Sequence, residues 1–370
     1  MTLEAQQHLS DSEQAWLNTR RYLRERRTEL DRLAADELID IPKVADSALL
    51  TRPEWLPAWP LPLTAIELSL QDAAPATAVT AETARPGLPR RSGGERYVSY
   101  SDALGQLAKP GVFENRRTYR LLHADLASAR PRLEFGPGSY FDGTDTGEAV
   151  GHELAAAQLG DPVDGGVRAA IGDPCDLARR PVNLAVTTLT IRRDRIGGPD
   201  TFLLHWRDPA KVGHAGGLHQ VVPAGIFQPS GEQDFNVDND FSLWRNIIRE
   251  LAEELLGESE ADTSHTPIDY SAWPFAAALD RALAEDQVRA YCLGLGVDPT
   301  TYAADLLTAV VIDDDVFDTL FGAAVADNDE GTVLAGLPFT PDGIEEVLAE
   351  RPMQAAGAGL LRLATRHDLP

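Results

Sequence analysis

The sequence predicts an α+β fold: a mixed sheet in a sandwich with helices, preceded by a largely helical region. Three observations carry this. β-branched, strand-like runs begin near Val182 and recur as far as Ile312. A strongly amphipathic helix interrupts them over residues 244–256. Before residue 180 the apolar spacing is helical and broken by Pro- and Gly-containing connections. The boundary is therefore expected near residue 180, with residues 1–180 as a helical and irregular accessory region and 181–370 as the sheet domain.

Residues 10–37 read as one helix with an apolar stripe of Trp16, Tyr22, Leu23, Leu30 and Leu33. Prolines punctuate 52–63, where Trp55 and Trp59 should pack irregularly over a surface. Residues 72–95 are rich in Ala, Thr, Pro and Gly and read as a loop or linker. Helical spacing returns over 100–108, 114–128 and 146–158, followed by a connection over 160–180. Residues 183–191 and 201–206 form strands joined at Gly197-Gly198-Pro199, a hairpin. A third strand covers 221–226, and two more cover 288–294 and 306–312. Helices are expected over 317–325 and 352–367. Trp16, Trp55, Trp59 and Phe113 should hold the first half against the second.

Composition narrows the function. The net charge of −25 opposes binding to nucleic acid, whose affinity rests on Lys and Arg neutralising phosphates. Arg20, Arg21, Arg24, Arg26 and Arg27 cluster, but Glu25, Glu29 and Asp31 interleave with them, as on a solvated helix face laced with ion pairs. No apolar run reaches the roughly 18–20 residues of a membrane helix, and no signal-peptide core follows Met1. The two cysteines, Cys175 and Cys292, form no disulfide framework. A cytoplasmic protein with a small-molecule ligand is expected, with no nucleic-acid or membrane partner; a homodimer is compatible with the sequence.

The string Arg249-Glu-Leu-Ala-Glu-Glu254 is where acidic side chains are grouped for chemistry. Glu250, Glu253 and Glu254 stand at i, i+3 and i+4 and share a helix face. Counting 100° per residue, Asn246, Glu250, Glu253 and Gly257 fall within about 40° of one direction, with Glu254 at about 80°. Trp244, Ile247, Ile248, Leu251 and Leu255 take the other side. Three like charges repel on one turn; hard oxygen ligands are what Mg²⁺ or Mn²⁺ requires. The alternative is an ordinary amphipathic helix with a solvated acidic face. Upstream, Val221 and Val222 enter a turn at Pro223 and Gly225, and Gly231 and Glu232 follow. Asp240 or Ser242 can cap the helix.

Strand, glycine loop and acidic helix in this order resemble the Nudix hydrolase superfamily. Its signature is Gly, five residues, Glu, seven residues, then Arg-Glu-apolar-x-Glu-Glu-x-Gly-apolar. Arg249, Glu250, Leu251, Glu253 and Glu254 match directly. Gly225 and Glu232 match with six residues between them, and sixteen residues separate Glu232 from Arg249, so 233–241 reads as an inserted loop expected at the pocket mouth. The closing pair is inverted, Leu256-Gly257. Stretches such as Phe113-Glu-Asn-Arg116, Phe135-Gly-Pro-Gly-Ser-Tyr-Phe141 and Phe202-Leu-Leu-His-Trp-Arg-Asp208 resemble actinobacterial Nudix-like proteins often described as transcriptional regulators. The helix-turn-helix that many of those carry is not expected here, and neither is specific DNA binding.

The resemblance implies a Nudix-like mixed-sheet sandwich and metal-assisted attack of water on a phosphoanhydride, in a nucleoside diphosphate derivative or related metabolite. Glu250, Glu253 and Glu254 would hold Mg²⁺ or Mn²⁺, and Arg249 would orient them. Glu232 is the first choice for the general base. Gly225, Gly231, His214 and His219 would contact the ligand, although both histidines also suit a loop or packing role. Asp313, Asp314 and Asp315 could add ligands or form a solvated corner. Cys292 reads as a buried strand residue. Two rival classes stay open: a non-catalytic nucleotide or metabolite sensor, and a non-hydrolytic biosynthetic enzyme on the same fold.

Overall fold

The computed structural model describes residues 9–111, 113–208, 216–258, 263–322, 331–367 and 369. The architecture is α+β with mixed sheets. The strands are β1 (Leu61–Pro62), β2 (Glu67–Leu70), β3 (Arg117–Asp125), β4 (Arg132–Ser139), β5 (Leu184–Arg193), β6 (Thr201–Arg207), β7 (His219–Val221), β8 (Ala224–Ile226), β9 (Val288–Val297), β10 (Ala304–Asp313) and β11 (Gly331–Pro338). The helices are α1 (Asp11–Glu25), α2 (Arg27–Glu37), α3 (Tyr100–Leu107), α4 (Tyr140–Gly143), α5 (Ala149–Gln158), α6 (Val167–Ile171), α7 (Asp234–Asn239), α8 (Leu243–Leu256), α9 (Pro274–Ala284), α10 (Asp314–Phe321), α11 (Pro341–Glu350) and α12 (Ala355–Thr365). Among the described residues no helix is long and apolar enough to cross a membrane.

The larger sheet runs β1-β9-β10-β5-β6-β11, with β7 paired to β6 and β8 to β5. β5 and β10 are parallel, and the other pairings are antiparallel. Every residue of β10 is buried, so it reads as a continuous apolar run rather than an alternation. Leu306, Val310 and Ile312 belong to the core that α8 and α9 share. Leu307, Ala309 and Val311 belong to the core under α11 and α12. Each such side chain contributes about 1.5–3 kcal/mol by leaving water, which clamps the sheet between helical layers. Across residue 180 the packing is continuous: β1 pairs with β9, and Leu50 exchanges backbone hydrogen bonds with Val297.

Several expectations need correction. Residues 114–128 are not helical; β3 lies there, antiparallel to β4 in a second sheet of order β2-β4-β3. A bulge between Leu121 and His123 breaks the two-residue alternation, so apolar residues at 119, 121, 122 and 124 imitate helical spacing. In β4, Gly136, Pro137 and Gly138 suppress the strand signal. Gly138 is needed because a Cβ there would come within 2.9 Å of Arg120 Cβ. The helix over 10–37 is two helices, parted at Arg26. Residues 72–95 are irregular apart from a 3-10 turn over Ala81–Gly87, and Val79, Ala84 and Leu88, at most 2% exposed, pin the stretch to the core. The strand expected over 221–226 is split at Val222-Pro223 into β7 and β8, which pair with different neighbours. Trp16 and Trp55 are buried, but Trp59 is 77% exposed and anchors nothing.

Candidate functional site: an acidic cavity beside α8

α8 begins where the Ser242 side chain accepts the Arg245 N–H, and it ends at Gly257 in the left-handed conformation at φ 66°. Its apolar face, Leu243, Ile247, Ile248, Leu251 and Leu255, is sealed in the main core. That fixes the direction of the opposite face. The three glutamates then part company.

Glu250 stands over β8. A Cβ on Gly225 would lie 2.0 Å from the Glu250 carboxyl carbon, so any larger residue there would make this carboxylate move. Glu250 and Glu253 both line a cavity of about 390 Å³ between α8, the 228–230 turn and the segment 263–273. Glu258 and Asp269 add carboxylates, while Pro229, Pro267, Ile268 and Trp273 supply apolar wall. Among the described residues, Arg249 is the one cationic side chain lining it.

Glu254 is buried and turned elsewhere. Its Oε1 accepts the Ala224 N–H at 2.8 Å, and its Oε2 lies 3.3 Å from Nδ1 of the buried His205. The expected trio is thus two carboxylates in the cavity and one in the fold. Among the described residues, no three His, Cys, Asp or Glu side chains converge in a group able to hold a metal ion.

Arg249 orients its surroundings, donating to Tyr270 Oη at 2.7 Å, the Gln228 carbonyl at 2.7 Å and Asn246 Oδ1 at 3.2 Å. Burial opposes its charge, but Tyr270 and Asp240 outweigh that and raise its pKa. Asp269 accepts from the Ser271 hydroxyl and from the Ser271 and Ala272 N–H groups, which lower its pKa.

The other expected residues that the structure describes are not among those lining the cavity. Glu232 is exposed, accepts the Arg117 N–H at 3.0 Å and pairs with the Arg117 guanidinium at 3.8 Å. Gly231 is held close to Thr263, whose Oγ1 would be 2.3 Å from a Cβ there. His219 is buried in β7 against the Pro352 carbonyl, and burial lowers its pKa. His214 lies outside the described residues. Asp313 is buried and bonded to Arg195 and Arg289. The Cys292 thiol is pushed up to about 12 by burial, which removes it as a nucleophile near neutral pH. The inserted stretch is not a loop: it forms α7, followed by the buried Asp240, and its residues are not among those lining the cavity. Asp240, Tyr270 and Trp273 were missed as site residues because nothing local in the sequence ties them to α8.

No family model matches the chain, and no curated protein matches it. Among solved structures, it is similar to a mutT/nudix family protein from Listeria innocua at 16% identity and TM-score 0.27, covering 50% of this chain and 92% of that one. It is also similar to a NUDIX hydrolase from Alicyclobacillus acidocaldarius, at 16% identity and TM-score 0.27, covering 50% and 93%. Likeness at this TM-score does not establish a shared fold.

Proposed function

We propose that the cavity beside α8 takes a small diphosphate-containing ligand together with a divalent cation, and that the protein hydrolyses its phosphoanhydride as a Nudix-like enzyme. One observation carries this reading: Glu250 and Glu253, from the Arg-Glu-x-x-Glu-Glu string, line the same cavity. Their donor chemistry fits a cation that arrives with its ligand. Mg²⁺ is characteristically held by one or two carboxylates plus substrate phosphates, not by an all-protein cage. The Glu250 and Glu253 carboxylates, one turn apart on α8, suit that arrangement. Bound there, Mg²⁺ or Mn²⁺ would neutralise phosphate charge and acidify a water. The chain's own residues hold and exclude. Glu250 and Glu253 supply hard oxygens, Arg249 keeps the 228–230 turn against α8, and Ile268 and Trp273 shield the ligand from water. With Glu258 and Asp269 also present, a bare polyanion would be repelled, so binding should require the cation. The net charge of −25 favours a small molecule over nucleic acid.

A second reading, binding without turnover, is favoured by two observations. Glu254 is committed to Ala224 and His205, and Glu232 is bonded to Arg117 away from the cavity. The deciding experiment screens the purified protein against nucleoside diphosphate derivatives and prenyl diphosphates, with and without Mg²⁺ or Mn²⁺, for phosphate release and ligand-induced stabilisation. Turnover selects the enzyme; stabilisation alone selects the sensor. The Glu250→Gln/Glu253→Gln double variant should weaken Mn²⁺–pyrophosphate binding, measured by calorimetry, by roughly 100-fold. Unchanged affinity there would sink the site.

A further inference from the structure

The stretch that separates this chain from the Nudix signature ends on a carboxylate with no exposure to solvent. Asp240 follows α7 and is 0% exposed. Its Oδ2 accepts the Ser230 N–H at 2.8 Å and the Ser230 hydroxyl at 2.5 Å. Its Oδ1 accepts the Tyr270 hydroxyl at 2.8 Å and the Asn239 amide at 3.0 Å, and lies 3.6 Å from the Arg249 guanidinium. Ser230 and Arg249 line the cavity, and Tyr270 sits between the lining residues Asp269 and Trp273. Three cavity walls, far apart in sequence, therefore meet on one side chain.

A buried charge is tolerated only when its hydrogen-bonding capacity is met. Here the donors come from the elements whose spacing defines the cavity. Arg249 closes the ring by donating to Tyr270 and to the Gln228 carbonyl. Moving any one wall would strip a donor from a buried carboxylate, so the network over-determines the positions of all three.

We propose that Asp240 is the positioning residue of the ligand cavity. It locks the 228–230 turn, Arg249 and the Tyr270–Trp273 wall in the spacing that a cation–diphosphate ligand requires. The inserted stretch thereby acts on the site from beneath, through one carboxylate. This rests on the ligand reading above.

The test uses the full chain with Asp240→Asn, and Tyr270→Phe and Ser230→Ala as milder variants. Asn replaces a carboxylate oxygen with an NH₂ group that faces donors. Two readouts are taken on folded protein, verified by circular dichroism. The first is Mn²⁺–pyrophosphate affinity by calorimetry. The Asp240→Asn variant should bind about tenfold or more weakly. Tyr270→Phe should bind more weakly too, and adding it to Asp240→Asn should cost less than the sum of the two. The second readout needs no ligand: hydrogen exchange at the Ser230 amide should accelerate about tenfold or more in Asp240→Asn while β5 and β10 stay protected. Wild-type affinity in folded Asp240→Asn, or unchanged protection at Ser230, overturns the proposal. If Asp240→Asn does not fold, wild-type affinity and protection in both milder variants overturn it. A wild-type protein that ignores Mn²⁺–pyrophosphate refutes the ligand reading instead, and the exchange measurement then decides the clamp alone.

Discussion

Two charged helical segments invite comparison. α1 and α2 carry Arg20, Arg21, Arg24, Arg26 and Arg27; α8 carries Glu250, Glu253 and Glu254. In the first, the charge that turns inward is consumed by the fold. Arg27 bridges Asp31 at 2.8 Å and Asp298 at 2.7 Å, all three at most 7% exposed, and Asp31 also accepts the Thr300 hydroxyl. Arg20 donates to Tyr100 and to Glu148 at 3.0 Å. Arg21, Arg24 and Arg26 remain on the exposed face. In α8 Glu254 is consumed in this way, while Glu250 and Glu253 line a cavity. The difference lies in what distant segments bring to each helix. The β9–β10 turn supplies Asp298 and Thr300 against α2, whereas the segment 263–273 meets α8 through Tyr270 and Arg249 and leaves a space beside Glu250 and Glu253.

The largest effect is expected where charge is consumed. Arg27→Ala would strand two buried carboxylates, and breaking such a pair costs about 3–5 kcal/mol. Urea denaturation should show that loss, with Mn²⁺–pyrophosphate affinity unchanged in the folded protein. A loss below about 1 kcal/mol, the value of an exposed pair, would erase the contrast between the two segments.

A second, smaller effect sharpens the same contrast through pH. His152 on α5 stacks on Trp16 at 5.3 Å between ring centroids, and its Nδ1 lies 3.3 Å from the Tyr100 hydroxyl. Burial, with Arg20 adding to it against an opposing Glu148, pushes its pKa down to about 3. The unfolded chain would titrate near 6.5. Between those values the unfolded state holds a proton that the folded state refuses. This contribution is therefore complete above about pH 6.5 and falls away as the pH drops towards 3, by up to a few kcal/mol. Denaturation at pH 7 and pH 4.5 should show a steeper acid loss in wild type than in His152→Gln. Equal slopes would mean that His152 charges freely within the fold.

The same contrast explains what the sequence made legible. α8, its N-cap Ser242, β5, β6, β9 and β10 were readable because period and local chemistry agree there. β3 and β4 were not: a bulge disguised one, and Gly136, Pro137 and Gly138 the other. At the site, helical phase put Glu250 and Glu253 on one face of α8, the face that lines the cavity. The diversion of Glu254 did not follow from phase, because His205 and Ala224 reach it only through sheet pairing. Asp240 was visible only as a cap candidate, a role that Ser242 takes, and its partners Ser230, Tyr270 and Arg249 come together only in three dimensions.

Glu232 supplies the smallest and sharpest test. The resemblance makes it the first choice for the base. In the fold it is exposed and joined to Arg117 on β3, which also pairs with Asp234 at 2.7 Å. An exposed pair of this kind contributes about 0–1 kcal/mol, and Arg117 keeps a second carboxylate if Glu232 is lost. Glu232→Gln should therefore leave stability within about 0.5 kcal/mol and Mn²⁺–pyrophosphate affinity within about twofold. It should also leave unchanged any turnover found in the substrate screen, since a base must come within hydrogen-bond reach of the attacked water. Loss of turnover with affinity intact would instead carry Glu232 from the Arg117 surface into the working site, and would show that the loop beside β3 closes on the ligand.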